Sequence, residues 1–346
     1  MIVLMCGPTD EDQPMLKQGL TRRRMIAITA CAAGSAWLTG WRTAAAAEPV
    51  RWRGSALGAQ VSIEIYHPDR AEARRLVDRC VLDVRRLEQQ FSLYRDDSAI
   101  CTLNLTGILA SPDADMVALL KASLHFADMT DGAFDPTVQP LWQLYADHFA
   151  SEKPDPEGPS KVRLAETLAK VGRRNLLVGV DRIALIKHGA AITLNGIAQG
   201  YATDRVVETL RTAGLSTTMV NMGEIRAIGT RPGGTPWRVG LADPDKLGAL
   251  TETVDLVDRA VATSAGAGFR FDSKGRFTHL FDPATGRSPS RYSTVSVMAP
   301  TATEADALST AFSLMPLSDV ADIVAVRPSV QARIIDAGGT LMVFGA

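Results

Sequence analysis

Apolar residues recur at helical spacing after Pro68-Asp69, where the carboxyl of Asp69 is suited to cap a helix. The apolar positions of this predicted amphipathic helix are Ala73, Leu76, Val77, Cys80, Val81, Val84 and Leu87. Similar patterns predict helices at residues 113–129, 197–211, from 301 or 303 to 315, and 318–326, with a short helix ending at 104. Each helix is expected to pack through one apolar face.

Short apolar or alternating runs predict strands in the rest of the chain. Residues 52–66 end in alternation, with Val61, Ile63 and Ile65 on one face, and predict a half-buried strand. Asp181-Arg182 separates two apolar runs, 176–180 and 183–187, which predict a β-hairpin. The other predicted strands are 192–194, 217–221, 224–228, 237–241, 250–257, 260–263, 269–272, 278–281, 293–298, 330–336 and 340–344. The strands lack a regular βαβ rhythm, so we expect an α+β fold of layered, mostly antiparallel sheets with packed helices.

The first 47 residues have the pattern of a signal peptide. Arg22, Arg23 and Arg24 form a twin-arginine pattern, an apolar run follows, and the alanines at 44–47 offer a cleavage site. The run is too short and too rich in small residues for a transmembrane helix. Only six residues lie between Arg24 and Cys31, too few for the apolar region of a lipoprotein signal. We therefore expect export to the periplasm by the twin-arginine route, without a stable membrane anchor, and one mature domain over residues 48–346.

Composition narrows the function classes. The 346 residues are 46% hydrophobic with a formal net charge of −1, which is typical of a globular protein and gives no basic excess for nucleic acid. Aromatic residues make up only 6% of the chain and form no stacking surface for bases. The mature domain keeps Cys80 and Cys101, which either pair or stay as thiols; the place of Cys80 on an apolar helix face favours a buried thiol.

Candidate chemistry begins with the helix near residue 301. Asp306 and Thr310 are four residues apart, so their side chains leave one helix face, and their oxygens are suited to Mg²⁺. Thr303 to Asp306 also fits a capping box, in which Asp306 would only stabilise the helix start. Both interpretations stay open on the residues alone.

Two other segments carry candidate groups. Gly196 and Gly200 lie where a predicted strand turns into a helix, which predicts either backbone N–H donors for an anion or a tightly packed turn. His279 and Asp282 lie close together at a predicted strand end and are candidates for accepting a proton from a hydroxyl. Neither of the two common glycine-rich nucleotide-binding motifs occurs in the chain.

Six segments, taken in order, resemble the motifs of the ApbE family, the FAD:protein FMN transferases. Residues 133–137, 193–204 and 221–225 are similar to the family's G-A-F-D-x-T, D-L-G-G-I-A-K-G-Y-A-x-D and N-x-G-G-x-I. Residues 263–266, 279–286 and 305–310 are similar to T-S-G, H-I-I-D-P-x-T-G and A-D-A-L-x-T. The resemblance spans residues 50–346 and implies an ApbE-like architecture related to the T-fold.

The resemblance implies a reaction and a set of residues for it. Mg²⁺ would bridge the pyrophosphate of FAD, and the FMN half would pass to a Ser or Thr hydroxyl of another protein, releasing AMP. His279 and Asp282 would lie beside the reacting phosphate. The side chains of Asp306 and Thr310 and the carbonyl of Ala202 would bind the metal. The residues implied to line FAD are Leu57, Tyr94, Ala133, Phe134, Asp135, Gln199, Arg205 and Leu280.

The implied partner is an exported flavoprotein domain with a target Thr or Ser, of the NosR type or the RnfG/NqrC type of FMN-binding domain. With its twin-arginine signal, the chain is similar to the branch associated with nitrous-oxide reductase maturation. It departs from the family pattern at Leu57-Gly58-Ala59, which replaces Met-Gly-Thr, and at Thr193, Asn195 and Gln199, which replace Asp, Gly and Lys.

Gln199 removes a positive charge from the expected diphosphate site, so we expect either weaker FAD binding or compensation by another cation, for which Arg205 is the candidate. Two alternatives remain open: a module that binds FAD without covalent transfer, and a metal-dependent FAD pyrophosphatase.

Overall fold

The computed structural model describes residues 49–243, 249–289 and 291–345, and the predicted signal peptide lies outside them. An eight-stranded sheet forms the centre of the described chain, in the order β1-β2-β6-β7-β10-β11-β12-β13, and every neighbouring pair is antiparallel. Its strands are β1 (Val50–Ala56), β2 (Ala59–Ile65), β6 (Thr218–Asn221), β7 (Ile225–Ile228), β10 (Ala260–Ser264), β11 (Tyr292–Ala299), β12 (Gln331–Asp336) and β13 (Leu341–Phe344). With the helices packed on it, this sheet confirms the predicted α+β fold of mostly antiparallel strands.

Two smaller sheets complete the strands of the described residues. One has the order β3-β5-β4 and the other pairs β8 with β9, again antiparallel throughout. Their strands are β3 (Ile108–Ala110), β4 (Leu176–Val178), β5 (Arg182–Leu185), β8 (Trp237–Ala242) and β9 (Leu250–Leu256). The predicted hairpin around Asp181-Arg182 is confirmed as β4 and β5, whereas β3 was not predicted.

The helices match the predicted apolar periodicity closely. They are α1 (Arg70–Phe91), α2 (Ala99–Thr106), α3 (Ala114–Met129), α4 (Gln139–Ala150), α5 (Lys161–Leu168), α6 (Ala198–Thr212), α7 (Ala302–Phe312) and α8 (Leu317–Ala325). Asp69 caps α1 as predicted, accepting hydrogen bonds from the N–H groups of Ala71 and Glu72. Helices α4 and α5 were not predicted. None of the helices in the described part is long and apolar enough to cross a membrane.

The main core lies between the sheet and three helices. Helix α1 contributes Leu76, Cys80 and Leu87, which are buried together with residues of β2, β11, α6 and α7. Helix α7 packs against both α6 and the neighbouring strands β10 and β11. The core therefore fixes α6 and α7 beside each other on one face of the sheet. Cys80 and Cys101 are both buried free thiols, so the alternative of a disulfide between them is wrong.

Three predicted strands and one predicted boundary are wrong. Residues 192–194 form no strand, because the side-chain amide of Asn104 bonds both the N–H (2.7 Å) and the carbonyl (2.9 Å) of Ile192 in place of a neighbouring strand. Segments 269–272 and 278–281 share one isolated bridge, between Arg270 and Thr278. Residues 52–66 are two strands, because the chain reverses at Leu57.

Candidate active site

Helices α6 and α7 cross at Gly200. A Cβ built on this residue would lie 2.3 Å from the carbonyl oxygen of Ala302 and 2.8 Å from Cβ of Asp306, closer than side-chain carbons approach other atoms. The N–H of Gly200 donates a hydrogen bond to Oδ2 of Asp306 at 2.9 Å. The close approach therefore brings the carboxyl of α7 directly onto the backbone of α6.

The start of α7 is capped without Asp306. Thr301 is the N-cap, and its hydroxyl accepts the N–H of Glu304 at 3.2 Å. Asp204 of α6 caps the same turn, accepting from the N–H and hydroxyl of Thr303 at 2.9 and 2.6 Å. The capping box from Thr303 to Asp306 is therefore wrong, and Asp306 lies buried in the second turn, facing α6.

Thr310 lies one turn after Asp306 and faces the segment that leads into α6, as well as the end of β10. A Cβ on Gly196 would lie 3.0 Å from Oγ1 of Thr310, and Oγ of Ser264 lies 3.4 Å from the same atom. Ala202, whose carbonyl was predicted as the third metal ligand, is fully buried in α6. No group of three or more His, Cys, Asp or Glu in the described residues is arranged to hold a metal. A cation at this position would thus rely on hydroxyl and carbonyl oxygens as well as one carboxylate.

A second buried carboxyl, Glu224, adjoins Asp306. Burial raises the pKa of Asp306 to about 7, the charge of Asp204 acts in the same direction, and the hydrogen bond from Gly200 opposes them. Burial, followed by the charge of Asp306, raises the pKa of Glu224 well above its usual value, while a hydrogen bond from the backbone of Thr263 opposes them. Burial therefore favours the neutral forms of these two carboxyls. A divalent cation at this place would stabilise their ionised forms. The sequence offered one signal for Glu224, its place within residues 221–225, which a plain β-turn explains equally well.

The start of α6 carries the residues by which the chain departs from the ApbE pattern. Gln199 donates through Nε2 to the carbonyl of Leu57 at 3.1 Å. Asn195 forms a side-chain hydrogen bond with Tyr94, whose ring is 46% exposed. The structure thus joins the segment at the start of α6 to two residues, Leu57 and Tyr94, that are far from it in sequence.

Only some of the backbone N–H groups at the start of α6 could take the role in binding an anion that the sequence predicted. The N–H of Ala198 donates to the carbonyl of Leu194 at 2.8 Å, and the N–H of Gly200 is taken by Asp306. These bonds satisfy two of the backbone donors that an anion would use. The tightly packed turn, which the sequence left as the alternative, describes Gly200 better.

His279 lies beside the loop that follows Ser264. Its Nδ1 is 3.3 Å from the carbonyl oxygen of Phe269, and a Cβ on Gly268 would lie 3.5 Å from its Cε1. Desolvation lowers the pKa of His279, and the contact with Phe269 opposes this effect. A neutral imidazole of this kind can accept a proton near neutral pH. The loop of residues 264–268 therefore contacts Thr310 at its first residue and His279 at its last.

The carboxylate of Asp282 accepts hydrogen bonds from within its own turn. Its Oδ1 accepts the N–H of Ala284 at 2.9 Å and its Oδ2 the hydroxyl of Thr285 at 2.8 Å, and no hydrogen bond in the described residues joins it to His279. Asp282 and Ala133 both line a cleft of about 420 Å³ at the ends of α3 and α8. The structure therefore places Asp282 beside a predicted flavin residue.

The four other predicted flavin residues differ in burial and in partners. Asp135 is buried, and its oxygens accept hydrogen bonds from Thr137 at 2.8 and 2.6 Å and from the N–H of Arg173 at 2.9 Å. Phe134 is 4% exposed and belongs to the main core. Arg205 pairs with Asp115 at 3.4 Å, so its charge is directed to α3. Leu280 is partly buried next to His279.

Comparisons with known proteins show what the chain as a whole is similar to. The sequence profile of the ApbE family matches residues 57–345. The FAD:protein FMN transferase of Treponema pallidum is 29% identical over 304 residues, 81% of this chain and 82% of the relative. That of Haemophilus influenzae is 30% identical over 246 residues, 66% of this chain and 68% of the relative. The crystal structure of the ApbE protein from Thermotoga maritima superimposes with a TM-score of 0.76 at 31% identity, covering 86% of this chain and 97% of that one.

Proposed function

This chain belongs to the ApbE family of flavin transferases, and we propose that it moves the FMN half of FAD onto a Ser or Thr hydroxyl of an acceptor protein in a Mg²⁺-dependent reaction that releases AMP. Its relatives are FAD:protein FMN transferases, which supports FAD as the flavin donor and a protein as the acceptor. The observation that carries the proposal is the buried hydrogen bond from the N–H of Gly200 to the carboxyl of Asp306, which lies one helical turn before Thr310.

The residues at this crossing of α6 and α7 are suited to bind a magnesium ion. Asp306 uses one carboxylate oxygen for Gly200, which leaves Oδ1 for a metal, and the hydroxyl of Thr310 lies on the same helix face. Glu224 is a second buried carboxyl beside Asp306, and a bound cation would stabilise its ionised form; the carbonyl of Ala202 is the third proposed ligand. When bound, Mg²⁺ would neutralise charge on the pyrophosphate of FAD.

The reaction itself needs an oxygen nucleophile and an acceptor for its proton. The hydroxyl oxygen of the acceptor protein forms a new bond to the FMN phosphorus, and the bond from that phosphorus to the bridging oxygen breaks, so that AMP leaves with this oxygen. We assign His279 to take the hydroxyl proton, because its lowered pKa keeps the ring neutral near pH 7. Asp282 shapes the turn that follows His279, since its carboxylate is held by Ala284 and Thr285.

A product measurement tests the proposal. Mature protein, FAD and Mg²⁺ are mixed with an exported FMN-binding domain that carries an accessible Thr, and with the same domain after Thr→Val replacement. We expect AMP and a gain in acceptor mass of one FMN less water, in equal amounts and only with the intact Thr. Free FMN and AMP without acceptor would instead indicate a pyrophosphatase. Bound FAD without AMP, across several acceptors, would indicate a binding module and would refute the transferase.

We also propose that residues 1–47 direct export by the twin-arginine route, so that both the enzyme and its acceptor work in the periplasm. The support is the pattern of Arg22 and Arg23 followed by an apolar run and an alanine cluster. Replacing both arginines by lysine should leave full-length protein in the cytoplasm, as seen by fractionation and mass. Unchanged export of that variant would refute the twin-arginine route. An acceptor of the NosR or RnfG/NqrC type is the proposed partner.

A further inference from the structure

Leu57 has an unusual backbone conformation for a leucine. Its φ is 47°, and Gly58 follows with φ 79°, so the turn between β1 and β2 has two successive residues in the left-handed region. Residues other than glycine, asparagine and aspartate seldom adopt this region, because their Cβ approaches a backbone oxygen. A leucine kept there needs surroundings that hold the turn in place.

Two side chains from separate helices hold the backbone of Leu57. Oε1 of Glu88, in α1, accepts its N–H at 2.9 Å, and Nε2 of Gln199, in α6, donates to its carbonyl at 3.1 Å. Both backbone groups of one strained residue are therefore bonded to helix side chains. The turn is fixed from both sides by the main core.

The amide of Gln199 has little freedom to do anything else. A Cβ on Gly223 would lie 2.5 Å from both Cδ and Oε1 of Gln199, so the amide rests on the backbone of Gly223. Its Nε2 donates to the carbonyl of Leu57, and its Cδ and Oε1 lie against Gly223. The amide therefore links the backbone of Leu57, through a hydrogen bond, to the backbone of Gly223, through close packing.

We propose that Gln199 is a positioning residue that holds the Leu57–Gly58 turn at the flavin site, instead of contacting the diphosphate of FAD itself. This proposal rests on the proposed function, because the turn lies at a flavin only if the chain binds FAD. It explains how the chain keeps a working site without a cationic side chain at residue 199. It also assigns a role at the same turn to Glu88, which lies in α1, a helix without any predicted site residue.

The first test uses the protein without FAD or metal. Amide hydrogen exchange at Leu57 and Gly58 is compared between wild type and Gln199→Met, which keeps the length of the side chain and removes the donor. Losing one hydrogen bond should speed exchange about fivefold. Gln143→Met is the matched control, because Gln143 bonds only Asp147 on the exposed side of α4 at 2.7 Å. Unchanged exchange at Leu57 in Gln199→Met would overturn the proposal.

The second test is a double-mutant cycle on FAD affinity with Gln199→Met and Glu88→Met. If both side chains act through the turn, each single change weakens FAD binding about fivefold, and the double variant is much less affected than the product of the two. If Gln199 contacts FAD directly, the two effects multiply and the proposal fails. A wild type that binds no FAD would overturn the proposed function and the flavin role of the turn, while exchange would still report whether Gln199 holds Leu57.

Discussion

Replacing Gly200 by alanine tests the crossing on which the candidate site depends. In an unhindered helix interior this change is stabilising, by about 1 kcal/mol, because alanine loses less backbone entropy than glycine. The surroundings of Gly200 reverse that expectation. Its new methyl group would lie 2.3 Å from the carbonyl oxygen and 2.6 Å from the carbonyl carbon of Ala302, which are backbone atoms of α7 and cannot rotate away.

The size of the effect follows from two separate losses. Relieving the overlap requires α6 and α7 to move apart, and such overpacking costs about 1–3 kcal/mol. The same movement lengthens the 2.9 Å hydrogen bond from Gly200 to the buried carboxyl of Asp306, and weakening it costs about 1–3 kcal/mol more. After the helix propensity gain is subtracted, we expect Gly200→Ala to lower the free energy of unfolding by about 3 kcal/mol and to abolish Mg²⁺-dependent AMP release.

Urea unfolding of the FAD-free and metal-free protein measures this difference. Gly268→Ala is the matched control, because its Cβ would meet only Cε1 of His279, at an ordinary distance of 3.5 Å. We expect the control to change the stability by less than about 1 kcal/mol. If Gly200→Ala is as stable as the wild type or more stable, then α6 and α7 are not packed as described, and the arrangement of Asp306 over Gly200 fails with them.

Three further changes test individual groups. Asp306→Asn keeps an oxygen for the N–H of Gly200 but removes the charge, so Mg²⁺-dependent AMP release should disappear while the melting temperature stays within a few degrees; near-normal turnover would contradict a metal role. His279→Ala should slow AMP release by about 10²–10⁴-fold without loss of FAD fluorescence quenching, and an unchanged rate would exclude it as the base. Cys80 and Cys101 are both buried, and burial raises the pKa of Cys80 to about 12, so the native mature chain should not react with Ellman's reagent at pH 8. The unfolded chain should show two thiols, and fewer would indicate a disulfide.

Local periodicity predicts most of the elements, because their apolar faces are long and face one core. The segment before Asn195 is an instructive exception: residues 192–194 read as a strand, but the side chain of Asn104 satisfies the backbone of Ile192. The break at Leu57 was missed for a related reason. Leucine is not a residue that signals a left-handed turn, and the groups that stabilise it come from α1 and α6, which no local pattern can show.

The order of six short motifs identifies the candidate site but not the contacts within it. Asp306 and Thr310 share a helix face by spacing alone, which a sequence can reveal. The choice between a capping residue and a metal ligand depends on which threonine starts the helix, and the structure shows that Thr301 and Asp204 cap it. Glu224 is recognisable as a partner of Asp306 only when β7 and α7 are placed together.

The crossing of α6 and α7 makes stability and the candidate chemistry depend on the same atoms. Because Gly200 has no side chain, Ala302 can rest against it, and this contact brings Asp306 to the Gly200 N–H. Asp204 strengthens the same contact by capping α7 from α6, with Arg226 as its ion-pair partner. The helices are therefore held rigidly at the point where two neighbouring carboxyls are buried. Asp204→Ala should then reduce Mg²⁺ affinity even though residue 204 is not a proposed ligand, and titration calorimetry that finds unaltered affinity in a folded Asp204→Ala protein would refute this coupling.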